Sequence, residues 1–467
     1  MTITKAKSRD FTTGPLFRQM ILFVLPVMLT GVLQVFYNMA DSIVVGQFSG
    51  DPDALAAVGS TASVTAMIIN VVIGAGSGVA MVISHTFGAK DNDSVSRAVH
   101  TSMLFALISG VFLLLVGIAF AEPLLRMTGT KEEFFDKALV YMRIICIGFP
   151  ATTLYNYSAT ILRSVGDSKT PLYVLSGSGL VNVGLNLVFV IIFKMSIAGV
   201  ALATITSQYL SATLLIITLL RRKGECYALS FEKLRVDKGM LLRILRYGIP
   251  ASLQSLVFSI SNVIITAAIN TFPVNTISAK TIAANIEGIL YTALNSYSSA
   301  AITFVGQNYG AKKRKRINKS IYTAIIQVAL FGAVITAITL LLGEPLALMY
   351  ISEGDPNRNE VLAITLEILY MMTPAYIICG IMETLAGVNR GLGYSIAPMI
   401  NNLIFTCGVR VLWIYVFFPM PVFASIRGLY LVYPISWILA ILAHLVVIII
   451  AQRKLKRMTR NDAVDVS

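Results

Sequence analysis

The chain has 467 residues, of which 56% are hydrophobic and only 13% charged, with a formal net charge of +14. Soluble domains carry about a quarter charged residues, so this deficit, together with repeated apolar runs of about 20 residues, excludes a soluble globular protein and places the chain in a membrane. The surplus positive charge sits at the ends of apolar runs, as in KKRKR (312–316) and RKLKR (453–457), with no aromatic-interleaved basic motif. That placement points to anionic lipid and excludes nucleic acid as the partner.

Twelve apolar runs are read in chain order, at 15–45, 54–86, 98–120, 138–158, 169–193, 197–220, 242–271, 278–307, 318–342, 361–386, 395–418 and 425–451. The first contains Pro26 and the seventh Pro250, each of which removes a backbone donor and favours a bend. The first also contains Asp41, and it continues past that residue without an A-x-A site, so no cleavable leader is expected. The second carries GAGSG (74–78); a phosphate-binding loop needs a strand before it, so these glycines read as close helix packing. With both termini cytoplasmic, the interior segments hold 28 of the 37 Lys and Arg residues, which fixes the expected orientation.

The halves of the chain repeat. EPLLRM (122–127) returns as EPLALM (344–349), and TFGAK (86–90) as NYGAK (308–312), both offset by 222. The prolines 26 and 250 are offset by 224, which aligns Asn38 with Asn262. RSVGDSKTP (163–171) returns as RGLGYSIAP (390–398), offset by 227. The expected architecture is therefore an all-α integral membrane protein of twelve transmembrane helices in two pseudo-symmetric six-helix bundles. Residues 1–220 form the first lobe, 221–241 a cytoplasmic linker, and 242–467 the second lobe with a basic tail.

Enzymatic classes find little support. The four cysteines form no CxxC pair and the three histidines no HExxH, so neither a zinc site nor a disulfide framework is indicated. No GxxxxGK[ST] occurs, so the chain does not itself hydrolyse ATP in the usual way. No cofactor is expected.

Asp41 is the residue that composition does not explain. A carboxylate near a helix centre costs roughly 2.5–3.5 kcal/mol on insertion scales, so it persists when it is paired or functional. Asn182 and Asn186 on the fifth run are four apart and share a helix face. They can supply oxygen ligands or simply hydrogen-bond between helices. In the second half the position aligned with Asp41 is Ile265, and the acids there are Glu287, Glu367 and Glu383. A local ion pair with Lys280 accounts for Glu287, solvent accounts for Glu367, and Glu383 lies deep enough to line a cavity. Arg410, beside Trp413, calls for a carboxylate or carbonyl partner.

GQNYGAK (306–312), HTFGAK (85–90), the paired Arg-x-x-Gly loops and CGVRVLWIY (407–415) together resemble the multidrug and toxic compound extrusion (MATE) family over about residues 15–451. The resemblance implies a secondary antiporter that exports amphipathic organic cations against inward Na⁺ or H⁺. It implies a cation site of Asp41, Asn182, Asn186 and Thr204; Tyr37, Asn38, Asn262, Glu287 and Glu383 are read from their positions alone as further site or cavity residues, and Pro26 as a hinge. Some relatives carry aspartate where this chain has Asn186, which leaves the coupling ion open between Na⁺ and H⁺. A monomer in a bacterial inner membrane is expected, taking small organic substrates. The alternative is a flippase for lipid-linked oligosaccharide.

Overall fold

A computed structural model describes residues 8–48, 53–269, 271–351, 353 and 356–464, with backbone only at 55, 63 and 457–464. Lys5 and Lys7 of the charge pattern, residue 270 of the seventh run and residues 465–467 of the tail lie outside the described residues. Helices fill each predicted span: α1 (Leu16–Phe48), α2 (Ala54–Gly88), α3 (Asn92–Met127), α4 (Phe135–Ile147), α5 (Phe149–Ser164), α6 (Lys169–Leu187) and α7 (Ser196–Arg221). Then come α8 (Lys238–Ile269), α9 (Val274–Gly310), α10 (Arg314–Leu348), α11 (Arg358–Gly391), α12 (Ile396–Asn401), α13 (Val409–Leu412), α14 (Ile426–Tyr430) and α15 (Val432–Val464). Among the described residues, ten helical stretches are long and apolar enough to cross a bilayer. The fourth predicted span is instead a pair, α4 and α5, bent by 44° where Gly148 precedes Pro150. The eighth, α9, is 37 residues long but rich in Asn, Ser and Thr, which lowers its hydropathy.

Three stretches are wound as π-helix: Val188–Ile192 after α6, and Asn402–Gly408 and Trp413–Phe417 on either side of α13. Such widened turns are rare and cluster at functional positions. Sequence periodicity gives no sign of them.

The repeat is visible in the backbone itself. Helices α2 and α9 end at Gly88 and Gly310, and α3 and α10 begin at Asn92 and Arg314, both at the offset of 222. Between them Lys90 and Lys312 both occupy the left-handed region, at φ 60° and 55°. A lysine adopts that conformation rarely, so its recurrence in register is strong evidence of a shared template. At the offset of 227, α6 begins at Lys169 and α12 at Ile396, and both preceding turns carry a glycine at φ 89°, Gly166 and Gly393.

By compactness the chain falls into two units, Met1–Asp10 with Leu29–Ser252, and Phe11–Met28 with Leu253–Ser467. Helices α1 and α8 therefore each supply residues to both. Within the first unit, one apolar core gathers around Val79, Val99, Tyr157 and Leu215, and a second around Val45, Ala57, Met142 and Val200. The GAGSG run serves close packing here. A Cβ on Gly74 would lie 2.6 Å from the Ser252 Cα, and one on Gly78 would lie 2.6 Å from the Gly248 backbone nitrogen, so α2 and α8 touch main chain to main chain. Within the second unit, separate cores form around Ile265, Leu369 and Trp437, around the Phe11, Phe23 and Phe304 rings, and around Val305, Ile317 and Val388.

Candidate functional site

Asp41 lies on α1 and is 7% exposed. One carboxylate oxygen, Oδ1, accepts a hydrogen bond from Asn186 Nδ2 at 2.6 Å, and the other accepts from Thr204 Oγ1 at 3.0 Å. Asn186 Nδ2 also reaches Asn182 Oδ1 at 3.3 Å, and all four residues belong to the first unit. The structure thus brings together the acid of α1, the amide pair of α6 and the threonine of α7. Asn186 is fully buried, and its Oδ1 has no hydrogen-bond partner among the described residues. A buried amide oxygen left without a partner carries a desolvation cost of about 1–3 kcal/mol unless something is supplied to it.

The surrounding helices hold this group in place. Asn182 and Asn186 stand one turn apart on α6, and the π-helical turn Val188–Ile192 follows directly. Tyr37, one turn before Asp41, donates its hydroxyl to the Leu175 carbonyl at 2.9 Å. Gly179 makes that possible, because any Cβ at 179 would fall inside the Tyr37 ring. A cavity of about 210 Å³ opens beside Asp41, lined among others by Gln34, Asn38, Asn156, Thr204, Gln208 and Ser211. Ligand pockets for drug-sized molecules run from roughly 300 Å³ upward, so this space suits an ion with water better than a whole organic substrate.

Four lining residues of α7, Thr204, Ser207, Gln208 and Ser211, recur at spacings of three and four. Only Thr204 was expected, through the family resemblance, although this spacing marks one helix face and was available as a signal. Thr152 was missed for a different reason. It reaches Gln208 Oε1 at 3.0 Å from α5, whose place beside α7 depends on the break at Gly148.

The donor set consists of a carboxylate, two amide oxygens and a hydroxyl, all hard oxygens suited to Na⁺, while the carboxylate alone can take a proton. Among the described residues no cluster of three or more His, Cys, Asp or Glu side chains could hold a metal ion.

Other candidates fall in the second unit. Asn262 on α8 meets a cation instead: its Oδ1 accepts from Arg410 Nη1 at 3.0 Å. Of the two partners expected for Arg410, the structure supplies the carbonyl, the Asn262 side-chain amide oxygen, and among the described residues no carboxylate forms an ion pair with it. Ser261 Oγ at 3.1 Å and the faces of Tyr433 and Phe258, 4.5 and 5.5 Å from the guanidinium carbon, surround it instead. The expected pair of Glu287 with Lys280 does not form either. Glu287 accepts from the Tyr376 hydroxyl at 3.3 Å and Lys280 donates to Thr266 at 3.4 Å, because packing against α11 and α8 turns the two side chains to different neighbours. Glu367 is partly exposed and pairs with Arg427. Glu383 is buried on α11. α1 continues through Pro26 as one helix.

An all-helical repeat that encloses a buried, polar, oxygen-rich site defines a membrane transport protein. A family model described as MatE matches residues 26–188 and 250–416, and the chain belongs to that family. It is 28% identical over 418 residues to the probable multidrug resistance protein YoeA of Bacillus subtilis, covering 88% of each chain. It is 25% identical over 437 residues to an FAD transporter of Shewanella oneidensis, covering 91% of this chain and 92% of that protein. In fold it is similar to a multidrug resistance MATE family transporter solved in an outward-facing conformation, at a TM-score of 0.85 and 20% identity over 97% of this chain and 99% of that one.

Proposed function

We propose that this protein is a multidrug exporter of the bacterial plasma membrane that expels amphipathic organic cations in exchange for inward Na⁺ or H⁺ bound at Asp41. The observation that carries this reading is the pair of hydrogen bonds that Asn186 and Thr204 make to Asp41, beside an amide oxygen that lacks a partner. Entry of a cation would let the Asn186 oxygen and the Thr204 hydroxyl turn toward it, which exchanges donors for ligands at the carboxylate. Filling the site would draw α1 toward α6 and α7 and bend it at Pro26, and the resulting change of the first lobe would release substrate outward. Release of the cation inward would restore affinity for the next substrate, so the two ligands weaken each other by the same factor. The cavity lining includes a carboxylate and no Lys or Arg, which suits a coupling cation at Asp41. Both termini face the cytoplasm in this account, following the distribution of Lys and Arg. Efflux of a fluorescent organic cation from vesicles that carry Asp41→Asn tests the proposal. Loss of gradient-driven efflux with normal insertion supports it, and an unchanged rate rejects it.

A further inference from the structure

Arg410 is 0% exposed in the second unit, yet only one of its three nitrogens is used. Nη1 donates to Ser261 and Asn262, while Nε and Nη2 are buried without a partner. Those two nitrogens form the side-on fork of the guanidinium, whose parallel N–H groups match the two oxygens of a carboxylate or a phosphate. Among the described residues no carboxylate forms an ion pair with Arg410; the ring faces of Tyr433 and Phe258 are its compensation. Cation–π contacts of this kind offset part of the cost of desolvating the guanidinium. The Born cost of burying an unpaired charge is larger than that offset.

The position of this group in the repeat gives it meaning. Asn262 is the counterpart of Asn38, which lines the cavity beside Asp41. At the offset of 227, Asn182 maps to Val409, one residue from Arg410, and a π-helical turn follows the region in both halves, Val188–Ile192 and Trp413–Phe417. The first unit holds a carboxylate at the meeting of its first and fifth spans. The second unit holds isoleucine at the acid's counterpart, Ile265, and a guanidinium from its own fifth span. We propose that the second half carries an oxyanion site at Arg410, the charge-inverted counterpart of the Asp41 site, which takes the carboxylate or phosphate group of a transported molecule or the free inorganic oxyanion. The fork is closed over in this conformation, so the ligand enters when the second half opens during the transport cycle. The site does not depend on which ion binds at Asp41.

The chain reports on this site by itself, since its only two tryptophans are Trp413, three residues from Arg410, and Trp437, whose ring centre is 5.5 Å from that of Tyr433. Tryptophan fluorescence and the thermal unfolding midpoint of the purified full-length protein can be followed during titration with phosphate, hexanoate, chloride and hexylammonium. The expected result is a saturable response to phosphate or hexanoate and none to hexylammonium. In Arg410→Lys, which keeps the charge and loses the fork, oxyanion affinity should fall at least tenfold, to the level of chloride. In Arg410→Gln the response should vanish. Tighter binding of hexanoate than phosphate assigns the site to a substrate group, and the reverse order assigns it to the free oxyanion. The proposal is overturned if wild type gives no saturable response to either oxyanion, or if Arg410→Lys binds phosphate as wild type does. The lysine variant decides the matter even if the glutamine variant does not fold.

Discussion

Asn186 donates to Asp41 at 2.6 Å, from 145 residues away in the chain, and Asn182 accepts a second contact from the same amide nitrogen. The amide nitrogen is committed in two directions, which leaves the Asn186 oxygen as the free ligand. Asn186→Ala removes both and leaves one Asp41 oxygen without its donor. Loss of a residue that supplies or orients a ligand costs about 10–100-fold in metal affinity, so apparent affinity for the coupling cation should fall by about one to two orders of magnitude. The measurement is the cation concentration for half-maximal efflux; a value within threefold of wild type would show that this amide is packing rather than ligand.

Gly179→Ala tests how Tyr37 supports the site. A methyl group at 179 has to displace the phenol ring and break its bond to the Leu175 carbonyl. Overpacking of a tight contact costs about 1–3 kcal/mol, so the thermal midpoint should drop measurably. Tyr37→Phe keeps the ring and loses only the hydroxyl bond, so its destabilisation should be smaller. Equal midpoints for Gly179→Ala and wild type would contradict the contact.

Close approach of α2 and α8 gives a third expectation. Gly78→Leu puts a side chain where the Gly248 backbone lies, and no rotamer relieves a clash with main chain. Folded yield in membranes should fall sharply. Gly59→Leu, at a position on the same helix where a Cβ meets nothing within 4 Å, is the control and should be tolerated.

The starts of α3 and α8 respond to acid. The Ser94 side chain and then the Ser94 N–H at 3.0 Å hydrogen-bond to Asp91, the Met240 N–H donates to Asp237 at 2.9 Å, and these hydrogen bonds hold both carboxyls below the ordinary range. A depressed carboxyl stabilises the folded state above its unfolded pKa of about 3.9, and that support is lost as pH falls through the folded value. Amide exchange at Ser94 and Met240, corrected for intrinsic rates, should stay level from pH 7 to 5 and accelerate below about pH 4. Asp237→Asn should remove the pH dependence at Met240 and leave that at Ser94.

The twelve spans and their repeat were legible because a bilayer admits few alternatives: twenty apolar residues bounded by charge have one simple reading. Asp41 was legible because a carboxylate in such a run needs an explanation, and Asn182 and Asn186 because they share a face; joining them and Thr204 to Asp41 took the family resemblance. What the sequence hid depends on how side chains meet. The break between α4 and α5 changes which residues of α5 reach α7, so Thr152 could not be placed beside Gln208. Glu287 and Lys280 are two turns apart on one helix, yet tertiary neighbours claim each of them. Arg410 was visible as a buried cation, but its neutral partners Ser261 and Asn262 could be found only once α8 and α13 were packed together.

The central claim is that one buried carboxylate couples the ion gradient to efflux. Proteoliposomes loaded with a fluorescent organic cation, with Na⁺ and pH gradients imposed separately, test it most directly. Wild-type protein should expel the dye under at least one gradient, and Asp41→Asn, inserted to the same level, should lose at least tenfold of that rate. Gradient-driven efflux by Asp41→Asn at the wild-type rate would contradict the account.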